Sequence, residues 1–436
     1  MCPPLGLRRP RGGAGPGRAG RPGGATGPLQ EATARPSAGP SGRLRHNGAV
    51  EEATISALLA DEGQRLLSEL RDYEQGRELA LATRLRRDHP PELVSAALAQ
   101  ARLRQRAKAK FGEEAERMYF TPDGVEQATR ASVAVYRAGR FAGLGVRRLA
   151  DLCCGIGGDA IGLARAGVEV LAVDRSPVTC AVARANAGAL GLADRIEVRC
   201  ADVADVDVSG FDAVFVDPAR RGARGRVFDP EAYSPPLSWA VEAAREARVA
   251  ALKVAPGIPH EAVPEGAEAE WVSDRGDVKE AVLWFGAGDG VRATLLPDGH
   301  TLAGAGLPDP PVGPVDRYLY EPDGAVIRAH LVAEVAQRVR GTLIDPTIAY
   351  VTAPERVATP YAQAYEITDV LPFNLKRLKA LLRQRAVGTV VIKKRGSAVE
   401  PEELRRRLKP EGPNSVTVFL TRVAGAPSML LGHPAT

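Results

Sequence analysis

The chain has 436 residues, 44% hydrophobic and 25% charged, which excludes a single small domain as well as a wholly disordered or collagen-like polymer. Its net charge of +5 is unevenly spread, and no stretch approaches the roughly 18 uninterrupted apolar residues of a membrane span; with no apolar secretory segment at the N-terminus, a soluble, cytoplasmic protein without a membrane partner is expected. Five scattered cysteines, Cys2, Cys153, Cys154, Cys180 and Cys200, form no CxxC pair, which argues against a disulfide framework and a zinc site, so no metal is expected.

Residues 1–50 hold eight arginines, twelve glycines and eight prolines, with Glu31 as the single acid. So little apolar surface cannot offset ordering entropy, and the segment reads as a disordered Arg/Gly/Pro-rich arm. Over 51–143 apolar residues recur at helical spacing, as in Leu66, Leu67, Leu70 and Tyr73, then Leu93, Val94, Ala97, Leu98 and Ala101. This predicts a helical N-terminal module, broken at His89-Pro90-Pro91 and restarted at Thr121-Pro122, a hydroxyl cap followed by proline. Within it, residues 84–110 carry eight basic residues against Asp88 and Glu92, a candidate phosphate-facing surface.

Strands are predicted over 148–152, 168–173, 196–198, 213–216, 249–254 and 281–285, with helices over 159–166, 177–190 and 237–247 between them. The alternation predicts an α/β, doubly wound, mostly parallel sheet over 144–296, with its ligand site at the carboxyl ends of the strands. Residues 297–314 are rich in Pro and Gly and read as a linker. Residues 315–436 mix helices with strands and predict a smaller α+β domain; its segment 371–410 carries twelve basic residues against three glutamates.

The most informative segment runs Asp151-Leu-Cys-Cys-Gly155-Ile-Gly157-Gly158-Asp159. A strand ending at Asp151 enters a glycine turn that opens a helix, so backbone can approach a ligand at a positive helix end. G-x-G alone also fits a dinucleotide fingerprint, but Asp151 at the turn would repel a pyrophosphate and favour a cofactor with a cationic amino-acid moiety. Asp174 closes the second strand, where a carboxylate can accept both ribose hydroxyls, and Asp202 follows the third, where it can accept from an adenine amino group.

The pattern resembles the class I S-adenosylmethionine-dependent methyltransferases, and within them the trimethylguanosine synthase-like RNA methyltransferase group. The order of Tyr119–Ala128, DLCCGIGGDAIGLA, the stretch from VLAVD to RCAD, and FDAVFVDP carries that likeness over about 100 residues. The resemblance implies a Rossmann-like methyltransferase fold and S-adenosyl-L-methionine as cofactor, held by Asp151, Gly155, Gly157, Asp174 and Asp202. It also implies that Phe120 and Thr121 belong to a segment across the methionine end of the cofactor. Residues 315–436 resemble, more loosely, the THUMP-like domain of bacterial methyltransferases.

The fourth strand ends Val216-Asp217-Pro218-Ala219-Arg220-Arg221. Asp217 and the Pro218 carbonyl can accept from a target amine and aim its lone pair at the methyl group. The group's usual second proline and base-stacking aromatic are replaced by Ala219 and Arg220. The motif also resembles uridine-C5 methyltransferases, but the strand 249–254 and its exit hold no cysteine for covalent attack. Arg220 and Arg221 on the pocket rim, and Lys393, Lys394 and Arg395 in a basic turn, are candidate contacts to substrate phosphates. The expected activity is methylation of a base in RNA, an exocyclic amine favoured. The competing readings are an RNA-binding or chaperone-like protein with a vestigial cofactor fold, and a small-molecule methyltransferase.

Overall fold

The structure, a computed structural model, describes residues 52–435 apart from Asp72, Glu74, Gln75, Arg77, Ala223, Arg224, Val227 and Phe228. The arm expected over 1–50 lies outside the described residues. Helices α1 (52–59), α2 (Asp61–Glu69), α3 (Glu78–Leu85), α4 (Pro91–Phe111), α5 (Pro122–Gln127) and α6 (Ala131–Gly143) come first. Pro91 stands in the first turn of α4, where its missing N–H costs nothing. Thr121 caps α5, its Oγ1 accepting from the Gly124 N–H at 2.9 Å. These helices do not segregate at residue 143: Leu58 of α1, Leu98 of α4 and Phe141 of α6 share one core with Leu149, Ala172 and Phe215 of the sheet that follows. Among the described residues, no helix is long and apolar enough to cross a membrane.

The sheet strands are β1 (Arg148–Leu152), β2 (Glu169–Asp174), β3 (Ile196–Cys200), β4 (Ala213–Val216), β7 (Val249–Val254), β8 (Glu268–Asp274), β9 (Asp277–Phe285), β10 (Val291–Leu296) and β11 (His300–Ala303). A separate two-residue hairpin, β5 (Arg221–Gly222) and β6 (Gly225–Arg226), interrupts the sequence. The nine strands lie in the order β11-β10-β8-β9-β7-β4-β1-β2-β3. Only β9 and β11 run against their neighbours, so the sheet is mostly parallel, as expected. α7 (Gly158–Arg165) and α8 (Pro177–Ala189) cover one face with α6, while α9 (Leu237–Glu246) covers the other through Leu237, Ala240, Val241 and Ala244. Buried on both faces, β4 and β7 read as nearly unbroken apolar runs.

The C-terminal part contains β12 (Tyr318–Pro322), α10 (Gly324–Arg328), α11 (Val332–Val339), β13 (Thr342–Asp345), β14 (Ile348–Ala353), β15 (Ala362–Pro372), α12 (Leu375–Gln384), β16 (Val387–Lys394), α13 (Pro401–Leu408), β17 (Asn414–Val423) and β18 (Ala426–Pro434). Its seven strands lie in the order β13-β14-β12-β15-β18-β17-β16, antiparallel except for the pair β16 and β17, which α13 connects. Leu378 and Leu382 of α12 and Leu404 and Leu408 of α13 seal one face. On the other, Tyr350 and Tyr365 pack edge-on against Phe419.

The linker expected over 297–314 needs correcting. Residues 300–303 are strand β11, paired antiparallel with β10, and Leu302 is buried in the core of the nine-stranded sheet. One inward leucine is too short a signal for periodicity, and the strand exists because β10 offers a hydrogen-bonding edge. Beyond it, Ala325 and Val326 of α10 and Ala329 just after it join that same core, and the Tyr361 hydroxyl donates to the Thr301 carbonyl at 2.7 Å. The two sheets are therefore stitched together by packing.

Candidate functional site

The carboxyl ends of β1, β2 and β4 open into a cavity of ≈ 700 Å³. Behind β1 the backbone turns through left-handed conformations at Cys153 (φ 68), Gly155 (φ 56) and Gly157 (φ 84), which glycine adopts without penalty. Gly157 then caps α7. Asp174 braces the turn: its Oδ2 accepts from the Gly155 N–H at 3.2 Å and its Oδ1 from the Ser176 N–H at 2.9 Å. Each oxygen keeps a second lone pair, and burial raises the carboxyl above its ordinary value. Asp202 is exposed on the rim, where its Oδ1 accepts from the Ala204 N–H at 3.1 Å. Asp174, Asp202, Gly155 and Thr121 all line the cavity.

Asp151 lies beneath the turn, fully buried, and neither carboxylate oxygen has a partner among the described residues. Its pKa is raised to about 7, first by burial and then by the Asp217 charge, against the pull of Arg137 and Lys253. An unsatisfied buried carboxylate is costly. A cationic ligand above the turn is the chemistry that would relieve it, so an orphaned acid, a glycine cradle and a carboxylate at the next strand end together fit a sulfonium amino acid joined to a nucleoside.

The segment before α5 is pinned over this turn from both sides. Gln100 of α4 brackets Phe120, donating to its carbonyl at 3.0 Å and accepting from its N–H at 2.9 Å. Asn186 of α8 accepts from the Tyr119 N–H at 2.6 Å and donates to the Ile156 carbonyl at 2.9 Å. Gly124 follows so close that a Cβ there would sit 2.5 Å from Ile156 Cγ2. Thr121 reaches the cavity wall, whereas the Phe120 ring packs in the core against Phe111 with ring centroids 5.6 Å apart. Phe120 thus places the segment through its backbone, and its side chain is not on the wall.

Asp217 and Pro218, just past β4, form the other end of the cavity. The loop after them is held by reciprocal backbone bonds between Ala219 and Ser234. Two features here escaped sequence reasoning. Lys253 on β7 is 4% exposed and donates to Asp217 Oδ2 at 2.6 Å and to Thr129 Oγ1 at 2.9 Å. Trp239 of α9 contributes an aromatic wall. A lone polar residue inside an apolar strand run was the available signal for Lys253; nothing local marked Trp239. Arg220 lies on the wall beside Asp217, and the Arg221 side chain is outside the described residues. Burial pushes the Cys153 and Cys154 thiols up, helped by nearby carboxylates, so neither presents a thiolate nucleophile.

The chain is 36% identical over 355 residues to an uncharacterised S-adenosylmethionine-dependent methyltransferase of Mycobacterium tuberculosis, covering 78% of this chain and 95% of the relative. It belongs to the S-adenosylmethionine-dependent methyltransferases. The family pattern described as a methyltransferase domain matches residues 149–219, one described as THUMP domain-like matches 362–434, and a domain of unknown function matches 51–107. A crystal structure from Porphyromonas gingivalis assigned to the methyltransferases covers 84% of this chain and all of its own at a TM-score of 0.68 and 22% identity, which supports the fold. A 23S rRNA uracil-C5 methyltransferase of Paraburkholderia xenovorans is 36% identical over 116 residues, covering 24% of this chain and 25% of that one.

The methyltransferase does not leave all of its basic segments free. In the 84–110 run, Arg102 pairs with Glu78, Arg106 with Glu126 and Lys108 with Glu116. The turn expected to meet phosphates is paired as well: Lys393 and Arg395 both reach Glu321, and Lys394 reaches Glu400 at 2.6 Å. Each cation of the Lys393–Arg395 turn therefore already has an acidic partner, Glu321 on β12 or Glu400 before α13. On α12, by contrast, Lys376, Arg377 and Arg383 are exposed with no ion pair among the described residues.

Proposed function

We propose that this methyltransferase modifies an exocyclic amine of a base in RNA. The observation that carries the reading is Asp217 with Pro218 at the end of β4, opening into the same cavity as Gly155, Asp174 and Asp202. S-adenosylmethionine supplies an electrophilic methyl group on a positively charged sulfur. On this reading, Asp174 accepts from the ribose hydroxyls, Asp202 lies toward the adenine, Asp151 balances the cationic end, and Thr121 lies across it. Asp217 Oδ1 and the Pro218 carbonyl accept from the two amine N–H groups and direct the nitrogen lone pair at the methyl carbon. Bound S-adenosylmethionine would supply the methyl group and take the sulfur away as leaving group, and the substituted nitrogen would lose its proton afterwards, so the chain would need no strong base.

The order of segments shared with the trimethylguanosine synthase-like group supports an amine acceptor. The absence of a thiolate at the described pocket disfavours a covalent route to carbon, the chemistry named for the uracil-C5 relative. The THUMP-like match and the unpaired cations of α12 support RNA as partner, Arg220 on the cavity wall suits contact with a substrate phosphate, and the free cysteines suit a reducing cytoplasm. The test is nucleoside mass spectrometry of RNA from a deletion strain and its parent. Loss of one N-methylated nucleoside is expected; an unchanged RNA profile overturns the reading.

A further inference from the structure

Lys253 is a deeply buried cation directly behind the cavity wall at Asp217. It stands on β7 where the pairing of Val216 with Leu252 brings the end of β4 alongside, and its Nζ bridges two walls of the site. One contact is Asp217 Oδ2 at 2.6 Å, the other Thr129 Oγ1 at 2.9 Å. Thr129 follows α5, the helix of the segment pinned over the glycine turn. A lysine 4% exposed is retained in a protein only with partners of this quality. The pairing uses one oxygen of Asp217 and leaves the other without a partner on the cavity side, where the side chain is 23% exposed.

We propose that Lys253 is a positioning residue that clamps Asp217 through Oδ2 as an ion pair, so that Oδ1 faces the acceptor as a hydrogen-bond acceptor, restricting the site to bases that present an exocyclic amino group. This rests on the reading of Asp217 as the acceptor-orienting group. A carboxylate fixed in this state cannot donate, so a carbonyl edge such as that of uracil is repelled while the amino edges of adenine, guanine and cytosine are admitted. The groups that bear on Asp217 are Lys253 from β7, Asp151 from β1 and Cys153 from the glycine turn, with Thr129 after α5 holding the far side of the Lys253 ammonium.

The experiment is a double-mutant cycle of Lys253→Met and Asp217→Asn in the full chain, read on labelled methyl transfer to RNA from the deletion strain and on calorimetric binding of S-adenosylhomocysteine. Lys253→Met should lower kcat by on the order of 100-fold with cofactor affinity held within about twofold. In the Asp217→Asn background the same change should have almost no further effect, and Lys253→Arg should restore part of the rate lost in Lys253→Met, because a cation can again reach Asp217 Oδ2. Additive effects with no rescue by Lys253→Arg would overturn the proposal, leaving Lys253 a packing element. Should Lys253→Met fail to fold, Lys253→Gln and Thr129→Val carry the same cycle. If the wild-type enzyme methylates no RNA, the functional reading fails, and the cycle is then read on urea unfolding, where absence of coupling between the two residues overturns the clamp on its own.

Discussion

The two sheets treat charge in opposite ways. At the carboxyl ends of the nine-stranded sheet, Asp151 is buried with both oxygens unpartnered and Asp217 keeps one oxygen free. In the seven-stranded sheet the charges nearest the core answer one another: Lys393 and Arg395 with Glu321, and Arg385 with Asp369 at 2.6 Å. Buried polar groups are normally satisfied internally, so the site on the first sheet is incomplete without a ligand, whereas the cations of the β16 turn and of the end of α12 in the second already have acidic partners. Catalytic chemistry belongs to the incomplete site, and any RNA affinity of the C-terminal domain has to come from exposed cations on its helical face.

The sharpest way to break this contrast is Asp217→Ala. Removing the acceptor should lower methyl transfer by on the order of 100- to 1,000-fold while leaving cofactor affinity nearly intact, measured by labelled methyl transfer beside calorimetry. A variant that turns over at the parental rate would make the motif structural. Next in size is Asp174→Ala, which should weaken S-adenosylmethionine by about 2–4 kcal/mol through loss of charge-assisted hydrogen bonds; unchanged affinity by calorimetry would remove Asp174 from the site.

Asp151 makes a prediction with a definite sign. Its folded pKa of about 7 exceeds the ordinary 3.8, so between those values the folded chain binds a proton that the unfolded chain has lost. Its contribution to the cofactor-free protein is therefore fully present below the ordinary value and is lost as pH rises toward 7. Cofactor binding should run the other way, tightening from about pH 6 to about pH 8 as the carboxylate ionises opposite a cation. Calorimetry at several pH values should show this slope in the parent and a flat profile in Asp151→Asn; equal slopes would sink the assignment.

The smallest effect separates the two basic regions. Charge reversal of Lys376, Arg377 and Arg383 should weaken RNA binding and flatten its salt dependence by about 0.7 per lost phosphate contact. Lys393→Gln should instead act on thermal stability, because it strips Glu321 of a partner. If filter binding at several salt concentrations shows Lys393→Gln carrying the larger RNA effect, the ion pairs at the turn open on binding and the contrast fails.

Local chemistry in the chain was enough to reveal the parts that depend on neighbours in sequence. The Asp151 strand, the glycine turn, the Thr121-Pro122 helix start, Asp174 and Asp202 at their strand ends, and the apolar runs of β4 and β7 each follow from short-range chemistry. Strand β8 did not, because Glu268, Glu270, Ser273 and Asp274 look like a surface segment. All four are buried, with Glu268 and Glu270 held by Arg140 from α6, and no window around residues 268–274 contains that arginine. Lys253 beside Asp217, Glu321 beside Lys393, and the core place of Phe120 have the same origin. Each is a pairing across elements far apart in the chain, and the energy of a buried charge or ring is set by whatever tertiary packing places against it, which periodicity and spacing do not encode.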